Sequence, residues 1–190
     1  MQSAEALVLD SQDYLAWEAL QEHKHEFING EVFAMGDARR EHVVVSGNVF
    51  AVLKQHLRGT PCQAYISDMK LHAEQQNAFY YPDVIVSCDK DDQKADQFLS
   101  NPTLIVEVLS DSTEAYDRGI KFAAYRHLTS LKEYVLVDIK TMSVECFRRT
   151  DDDNWLLHVT TKQDACHFDS IKLRVAMADI FEGIEGTKIA

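Results

Sequence analysis

Hydrophobic and polar residues recur with different periods along the chain, and each period predicts a different element. Residues 11–21 predict a short helix with Ser11 as its N-cap. The pair Asn29-Gly30 stands between two apolar dipeptides, an arrangement that is typical of a tight β-hairpin. Apolar residues recur at roughly helical spacing between residues 40 and 57, which predicts an amphipathic helix over one face of a sheet.

Later apolar runs are bounded by turn-forming residues and predict strands. The predicted strands lie at residues 62–66, 69–73, 79–87, 103–109, 133–138, 143–148 and 155–160. A helix is expected from the N-cap candidates at 110–114 to about His127, and a weaker strand near Ser170 and a short helix at 175–181 close the pattern. This order predicts an α/β fold in which a mixed β-sheet is flanked by helices, with an N-terminal hairpin.

The size and composition of the chain predict one globular domain. It has 190 residues, of which 46% are hydrophobic and 26% charged, and this length suffices to bury a full core. No internal repeat or Gly/Ser linker divides it, so we expect a single domain over residues 1–190 with its core at about 10–182. No run of about 18 apolar residues predicts a membrane span, and the start lacks a signal pattern. We therefore expect a cytoplasmic protein without a membrane partner.

The cysteines do not favour a structural zinc site. Cys62, Cys88, Cys146 and Cys166 are far apart in the sequence and form no Cys-x-x-Cys pair. Reduced thiols are the expected state of such cysteines in a cytosolic protein.

The net charge is −12, from 19 Lys plus Arg against 31 Asp plus Glu, and it disfavours a protein that coats nucleic acid through bulk electrostatics. An enzyme that acts on one phosphodiester at a metal site tolerates a negative total where basic residues cluster locally. Solvated helix faces explain such clusters more often than phosphate contacts do. Two clusters are candidates: Arg39, Arg40, Lys54 and Arg58, and Arg118, Lys121 and Arg126.

Two acidic residues stand in segments that should be buried. Residues 103–109 are apolar on both faces, as in a central strand covered by helices, and Glu107 lies among them. Asp83 follows Pro82 at the start of another apolar run. An unpaired buried carboxylate costs several kcal/mol, so each acid needs a cation, a hydrogen-bond network or a metal. Taken singly, Asp83 is equally well a turn residue, and Glu107 an ion-pair partner.

A possible third member of this group lies on the predicted helix. If the two acidic strands are neighbours, their carboxylates suit Mg²⁺, which keeps several waters beside one or two carboxylates. Asp117, Lys121 and Tyr125 share one helical face at spacing i, i+4, i+8. An ordinary surface Asp–Lys pair is one interpretation. In the other interpretation, the helix brings Lys121 close to Asp83 and Glu107, where its ammonium orients the attacking water or stabilises charge on phosphorus.

Several segments stand at a joint spacing that is more specific than any one of them. They are Tyr81-Pro82-Asp83-Val-Ile-Val, Pro102-Thr-Leu-Ile-Val-Glu107-Val-Leu-Ser110, Ser112-Thr113, Asp117, Lys121, Tyr125 and Glu133-Tyr-Val-Leu-Val-Asp138, with His25-Glu26-Phe-Ile-Asn-Gly-Glu31 and His42 upstream. Over about residues 10–182, the chain thereby resembles the bacterial putative restriction endonuclease family of the PD-(D/E)XK nuclease superfamily.

This resemblance implies a restriction-endonuclease-like core in which Asp83 and Glu107 bind Mg²⁺, with Mn²⁺ as a substitute, and Lys121 completes the catalytic site. The superfamily's usual lysine follows the acid by two residues, on the same face of the strand, but that position here is Leu109. The chain resembles members in which the lysine has moved to the following helix, where Lys121 is the matching position.

Secondary site candidates come from the first hairpin and from two helices. Glu26 and His42 would reach the metal or the phosphate, although a hairpin acid and a surface histidine explain them equally well. Asp117 and Tyr125 are candidates because they share the helical face of Lys121.

Three functions remain open at this point. The first is a Mg²⁺-dependent deoxyribonuclease that hydrolyses DNA phosphodiester bonds. The second is a catalytically inactive nuclease-fold module that binds nucleic acid or protein, which the net charge and the absent lysine favour. The third is a hydrolase of a small phosphorylated substrate. Since no reading module is appended, no DNA specificity is predicted, and a homodimer is expected so that each DNA strand meets one site.

Overall fold

In the computed structural model, which describes residues 9–161 and 164–184, helices and strands follow one another largely in the predicted order. The helices are α1 (Ser11–Glu18), α2 (Arg40–His56), α3 (Glu114–Tyr116), α4 (Phe122–Tyr125) and α5 (Met177–Ile180), with a π-helical segment, Asp117–Lys121, between α3 and α4. The strands are β1 (His25–Ile28), β2 (Glu31–Ala34), β3 (Gln63–Ile66), β4 (Lys70–Ala73), β5 (Ala78–Tyr80), β6 (Val84–Ser87), β7 (Phe98–Leu99), β8 (Pro102–Val108), β9 (Glu133–Asp138), β10 (Ser143–Arg149), β11 (Trp155–Thr160), β12 (Ala165–Phe168) and β13 (Leu173–Ala176).

The strands form a six-stranded sheet, a five-stranded sheet and a short hairpin. The larger sheet has the order β11-β10-β9-β8-β6-β3 and is mixed, since β8 and β9 are parallel while its other neighbours are antiparallel. The smaller sheet has the order β2-β1-β5-β4-β7, and β12 pairs with β13. The prediction of a mixed α/β fold with an N-terminal hairpin is confirmed.

Both faces of the larger sheet are covered. On one face, α2 packs the buried residues Val45, Val49 and Leu53 against apolar side chains of β6 and β8. On the other face, Ile85 and Ile105 belong to a cluster that also includes residues of α4 and of the smaller sheet. The strand β8 is therefore buried on both sides, as its apolar pattern predicts. No helix among the described residues is long and apolar enough to cross a membrane.

The first hairpin forms at Asn29-Gly30, as predicted, and it is the turn chemistry that explains it. Asn29 has φ 50° and Gly30 has φ 94°, and positive φ at both central residues is the requirement of the turn that joins twisted strands. The N-cap of α1 is Asp10 and not Ser11, because the Asp10 carboxylate accepts hydrogen bonds from the backbone N–H groups of Gln12 and Asp13.

Two predicted strands are wrong in their bounds. The run at 79–87 is divided into β5 and β6, which belong to different sheets. Pro82 stands at the break, since proline has no N–H for a sheet ladder and constrains the backbone. Ser170 lies in a 3₁₀ turn between β12 and β13 and not in a strand. Asp83 consequently lies where the chain enters the larger sheet.

The expectation of reduced thiols is wrong for two of the four cysteines. Cys62 and Cys88 form a disulfide. Gln63 pairs with Ser87 in the antiparallel β3–β6 ladder. Cys62 precedes Gln63 and Cys88 follows Ser87, so this register places the two cysteines opposite each other. Cys146 and Cys166 are free and buried.

Candidate active site

The acids Asp83 and Glu107 lie side by side on neighbouring strands. Val84 pairs with Val106 in the β6–β8 ladder, so one step further along this register places Asp83 opposite Glu107. The backbone N–H of Asp83 donates to Glu107 Oε2 at 3.4 Å, and the backbone N–H of Val108 donates to Asp83 Oδ2 at 2.7 Å. Glu107 is only 3% exposed, whereas Asp83 is partly exposed.

Lys121 is a buried member of the same group, which overturns the interpretation of a surface Asp–Lys pair. Its Nζ lies 3.1 Å from Glu107 Oε1, 3.2 Å from Glu26 Oε1 and 3.4 Å from Asp117 Oδ1. An ammonium has three N–H donors, and Nζ donates to Glu107 while Glu26 and Asp117 lie within ion-pair distance.

The helix after β8 approaches Glu107 along the predicted face. Asp117 and Lys121 bound the π-helical segment, and such widened turns occur frequently at functional sites. One turn later, the Tyr125 hydroxyl donates to Glu107 Oε1 at 3.0 Å. Behind the segment, the Tyr134 hydroxyl donates to the carbonyl oxygen of Asp117 at 2.9 Å. The spacing i, i+4, i+8 thus brings Lys121 and Tyr125 to Glu107, and Asp117 to Lys121.

The first hairpin and α2 supply the secondary candidates. Glu26 is buried in β1 and accepts hydrogen bonds from the Tyr81 backbone N–H at 3.3 Å and from the Tyr116 hydroxyl at 3.0 Å. His42 Nε2, from the first turn of α2, lies 3.1 Å from Asp83 Oδ2. The sequence analysis did not single out Tyr116, whose hydroxyl contacts Glu26.

These residues line a cavity of about 530 Å³. Its walls include the loops at 34–39 and 110–113. Tyr125 does not belong to the lining and contacts Glu107 from within the core. Ser46, which the sequence analysis did not single out, also lines the cavity, and its buried hydroxyl has no hydrogen-bond partner among the described residues. Its position one helical turn after His42 is a signal that could have identified it.

Negative charge is in excess around Lys121. Burial raises the pKa of Glu107 well above its ordinary range, and the carboxylates of Asp117, Asp83 and Glu26 act in the same direction, against the Lys121 ammonium. Burial alone would lower the pKa of Lys121, but Glu107, Glu26 and Asp117 together raise it. Lys121 therefore remains an ammonium, and one positive charge faces several acids.

His42 is the second basic group of the site. Burial tends to lower its pKa, but the hydrogen bond and the charge of Asp83 outweigh this effect and raise it. The imidazole thus holds one oxygen of Asp83 in place.

The donor set suits a hard divalent cation that keeps waters in its coordination shell. Within residues 9–161 and 164–184, no group of three His, Cys, Asp or Glu side chains is already arranged to hold a metal ion. Asp83 and Glu107 nevertheless offer two adjacent carboxylates, and Mg²⁺ is usually held by one or two carboxylates beside waters. The surplus of negative charge is what such a cation would neutralise.

Known proteins resemble the chain in fold and in sequence. The crystal structure of a putative nuclease belonging to DUF820 from Anabaena variabilis superposes with a TM-score of 0.73 over 91% of this chain and 97% of that chain, at 16% identity. At this identity the likeness shows the fold alone.

Sequence relatives extend along most of the chain. The uncharacterized protein slr1290 of Synechocystis sp. is 38% identical over 176 residues, which cover 93% of both chains. A second Synechocystis sp. protein, sll1609, is 32% identical over 152 residues, which cover 79% of this chain and 86% of the relative. The model of the Uma2 family, described as "putative restriction endonuclease", matches residues 11–171. The chain belongs to the Uma2 family, as the resemblance in its sequence predicts.

Proposed function

We propose that the protein is a Mg²⁺-dependent endonuclease that hydrolyses phosphodiester bonds of DNA. The observation that carries this proposal is the surplus of carboxylates around one buried ammonium, beside an open cavity. Membership of the Uma2 family and the fold of the nuclease from Anabaena variabilis support the reaction class.

Asp83 and Glu107 are the proposed ligands of Mg²⁺, with Mn²⁺ as a substitute. Val108 N–H and His42 both contact Oδ2 of Asp83. Lys121 and Tyr125 both contact Oε1 of Glu107. The other oxygen of each acid is therefore the less engaged one. A bound Mg²⁺ would supply Lewis-acid activation of water and neutralise charge that develops on the phosphate.

Lys121 is the proposed group that assists the attacking water or the phosphate. Its Nζ lies within 3.4 Å of Glu107, Glu26 and Asp117, so we expect it to move away from one of these carboxylates when it donates to a substrate oxygen. Of the three contacts, we expect the one with Glu107 to cost the least to break, because a bound cation would neutralise part of the charge of Glu107. Glu26 and Asp117 then keep the ammonium in position, which makes them positioning residues.

DNA is the proposed substrate although the chain carries a net charge of −12. Lys24 and Arg39 line the cavity, with 40% and 84% of their side chains exposed, and form ion pairs with the exposed acids Asp68 and Asp111. By exchanging these surface partners, they can contact flanking phosphates. The second predicted basic cluster does not serve this purpose, since Arg118 is bound by Glu114 and Glu145, and Lys121 lies among carboxylates.

The proposal is tested by metal binding and plasmid nicking on the same samples. Wild type, Asp83→Ala and Glu107→Ala are titrated with Mg²⁺ and Mn²⁺ by calorimetry and then incubated with supercoiled plasmid. Glu74→Ala is the matched control, because Glu74 is an exposed glutamate that does not line the cavity. Circular dichroism verifies that each variant is folded.

We expect wild type and Glu74→Ala to bind metal and nick the plasmid, and the two site variants to lose both properties. No metal uptake by wild type would leave the catalytically inactive nucleic-acid-binding or protein-binding module as the better proposal. Metal uptake without cleavage of any nucleic acid, together with hydrolysis of a small phosphorylated compound, would replace DNA as the substrate.

A further inference from the structure

One edge of the larger sheet is unprotected. β11 pairs with β10 on one side, and no described strand pairs with it on the other. Natural sheets block such edges with Lys, other charges, Pro or bulges, because free N–H and C=O groups attract another strand. The six residues of β11 are Trp-Leu-Leu-His-Val-Thr, without Lys, Arg, Asp, Glu or Pro.

Apolar side chains are exposed on both faces of this strand. Leu156 is 54% exposed, Leu157 51% and Val159 57%. Successive strand residues point to opposite faces, so Leu156 lies on one face and the other two on the opposite face. Trp155, at the start of β11, is by contrast packed against Phe122 and beneath the Arg149 guanidinium. The sheet therefore extends beyond the helices that cover it.

The opposite edge of the same sheet differs in this respect. β3 lies beside α2, and its Ala64 is buried in the cluster that includes Leu53 and Leu57 of that helix region. Only β11 combines an open backbone with exposed apolar side chains among the described edges of this sheet.

We propose that β11 pairs antiparallel with β11 of a second copy of this chain, so that the two larger sheets become continuous across a two-fold axis. A two-fold axis requires one patch to complement itself, and because directly opposite side chains share a face of the sheet, an antiparallel pair of β11 strands is centred on one residue, which we place at His158. It places Leu157 of each copy opposite Val159 of the other, and Leu156 opposite Thr160. These cross-strand pairs contain no like charges, and apolar pairs of this kind stabilise a ladder.

Charge determines the direction of the pairing. The turn that precedes β11 contains Asp151, Asp152 and Asp153. A parallel pair would place the two acidic turns side by side, which a chain with a net charge of −12 disfavours. An antiparallel pair places them beyond opposite ends of the ladder, more than about 20 Å apart, which is the length of six residues at about 3.4 Å each. The neutral strand is thus the part of this surface that two acidic copies can share.

The interface leaves the cavity open. β11 is three strands from β8 in the sheet, which corresponds to about 14 Å at the usual strand spacing. The cavity lining ends at Lys121 in the chain and includes no residue of β11. Dimerisation through β11 therefore does not depend on the proposed function, and it gives each dimer two accessible cavities.

Light scattering after size exclusion tests the interface with two oppositely charged double variants. One variant carries Leu157→Glu and Val159→Glu, and the other carries Leu157→Lys and Val159→Lys. We expect wild type to have twice the mass of one chain, each double variant to have the mass of one chain, and their equimolar mixture to recover the doubled mass. Leu20→Glu is the control, because Leu20 is 83% exposed outside this edge, and it is expected to remain dimeric.

The mixture is the decisive sample, since only pairing between two β11 strands brings position 157 of one copy to position 159 of the other. Circular dichroism and the thermal midpoint verify that the double variants are folded. A monomeric wild type, double variants that remain dimeric, or a mixture that remains monomeric would each overturn the proposal. The last result would indicate that another segment or another protein covers this strand.

Discussion

Two buried glutamates on neighbouring central strands show how differently one residue type is used in this fold. Glu107 in β8 is 3% exposed and Glu133 in β9 is 1% exposed. The two strands are parallel neighbours. By burial and by sequence context the two acids are nearly equivalent, since each lies in an apolar strand run.

Glu133 is surrounded by hydrogen-bond donors. Arg148 Nε donates to it at 3.0 Å, and the backbone N–H groups of Asp169 and Ser170 each donate at 2.9 Å. The Ser170 hydroxyl adds a further bond. These contacts attach the 3₁₀ turn between β12 and β13 to the larger sheet, so Glu133 has the role of a structural anchor.

Glu107 also accepts hydrogen bonds, from Lys121, Tyr125 and the Asp83 N–H, but three other acids lie around it. It shares Lys121 with Glu26 and Asp117, and Asp83 lies opposite it. Burial therefore does not distinguish a structural acid from a functional one. The two kinds of acid differ in the balance between hydrogen-bond donors and negative charges around the carboxylate, because a surplus of negative charge attracts a cation.

The largest expected effect comes from removing the ammonium. Lys121→Met leaves Glu107, Glu26 and Asp117 buried without their shared cation, and we expect the metal-free protein to lose about 3–5 kcal/mol of unfolding free energy. Since a ligand that binds only the native state stabilises it, Mg²⁺ should restore part of this loss. Urea unfolding with EDTA and with Mg²⁺ measures both quantities, and plasmid nicking should be lost.

The matched control for that variant is Arg148→Met, which removes the cation from Glu133. It should also destabilise the fold, but Mg²⁺ should not restore its stability. An equal response of both variants to Mg²⁺ would contradict the distinction between the two glutamates.

A smaller effect is expected from Glu133→Gln. The amide retains the shape of the side chain but replaces one acceptor oxygen by a donor that faces the N–H groups of the 3₁₀ turn. We expect a loss of about 2 kcal/mol in unfolding free energy and no change in Mg²⁺ binding by calorimetry. Unchanged stability, or weaker Mg²⁺ binding in a folded variant, would show that Glu133 is not the structural anchor inferred here.

The smallest expected effect is a pH dependence that only the Glu107 site shows. Because its pKa is raised in the folded, metal-free protein, Glu107 keeps its proton at pH values where the unfolded chain has lost it. This contribution to stability is complete below the ordinary pKa of a glutamate and is lost as pH rises through the raised value. Mg²⁺ competes with that proton, so its affinity should rise with pH, by at most about tenfold per pH unit.

Calorimetry over a pH series, in buffers of different ionisation enthalpy, counts the protons released when Mg²⁺ binds. Glu133→Gln should show the same pH dependence as wild type. A Mg²⁺ affinity that is independent of pH, with no proton released, would mean that Glu107 is already ionised in the metal-free protein.

The sequence by itself determined the elements that depend on neighbouring residues. The hairpin at Asn29-Gly30, the amphipathic α2 and the doubly buried β8 follow from turn chemistry and apolar periodicity, which are local properties. The helical spacing of Asp117, Lys121 and Tyr125 likewise predicted a shared face, and that face does meet Glu107.

Only the tertiary structure decided where the runs break and which strands become edges. The predicted strand at 79–87 reads as one apolar run, but its two halves enter different sheets on either side of Pro82. The disulfide between Cys62 and Cys88 depends on the β3–β6 register. The exposure of β11 depends on its place at the end of the strand order, since the same apolar pattern would suit a buried strand.

The roles of the acids were also decided by the tertiary structure. In the sequence, Glu107 and Glu133 both stand in apolar runs with nothing nearby to separate them. Lys121 reaches Glu107 and is shared with Glu26 from a distant part of the chain, while Arg148 and Ser170 reach Glu133. The electrostatic energy of a buried carboxylate is a sum over such groups, and each contribution falls as the distance to the carboxylate grows. Periodicity along the chain therefore cannot determine it, but the register of the strands does.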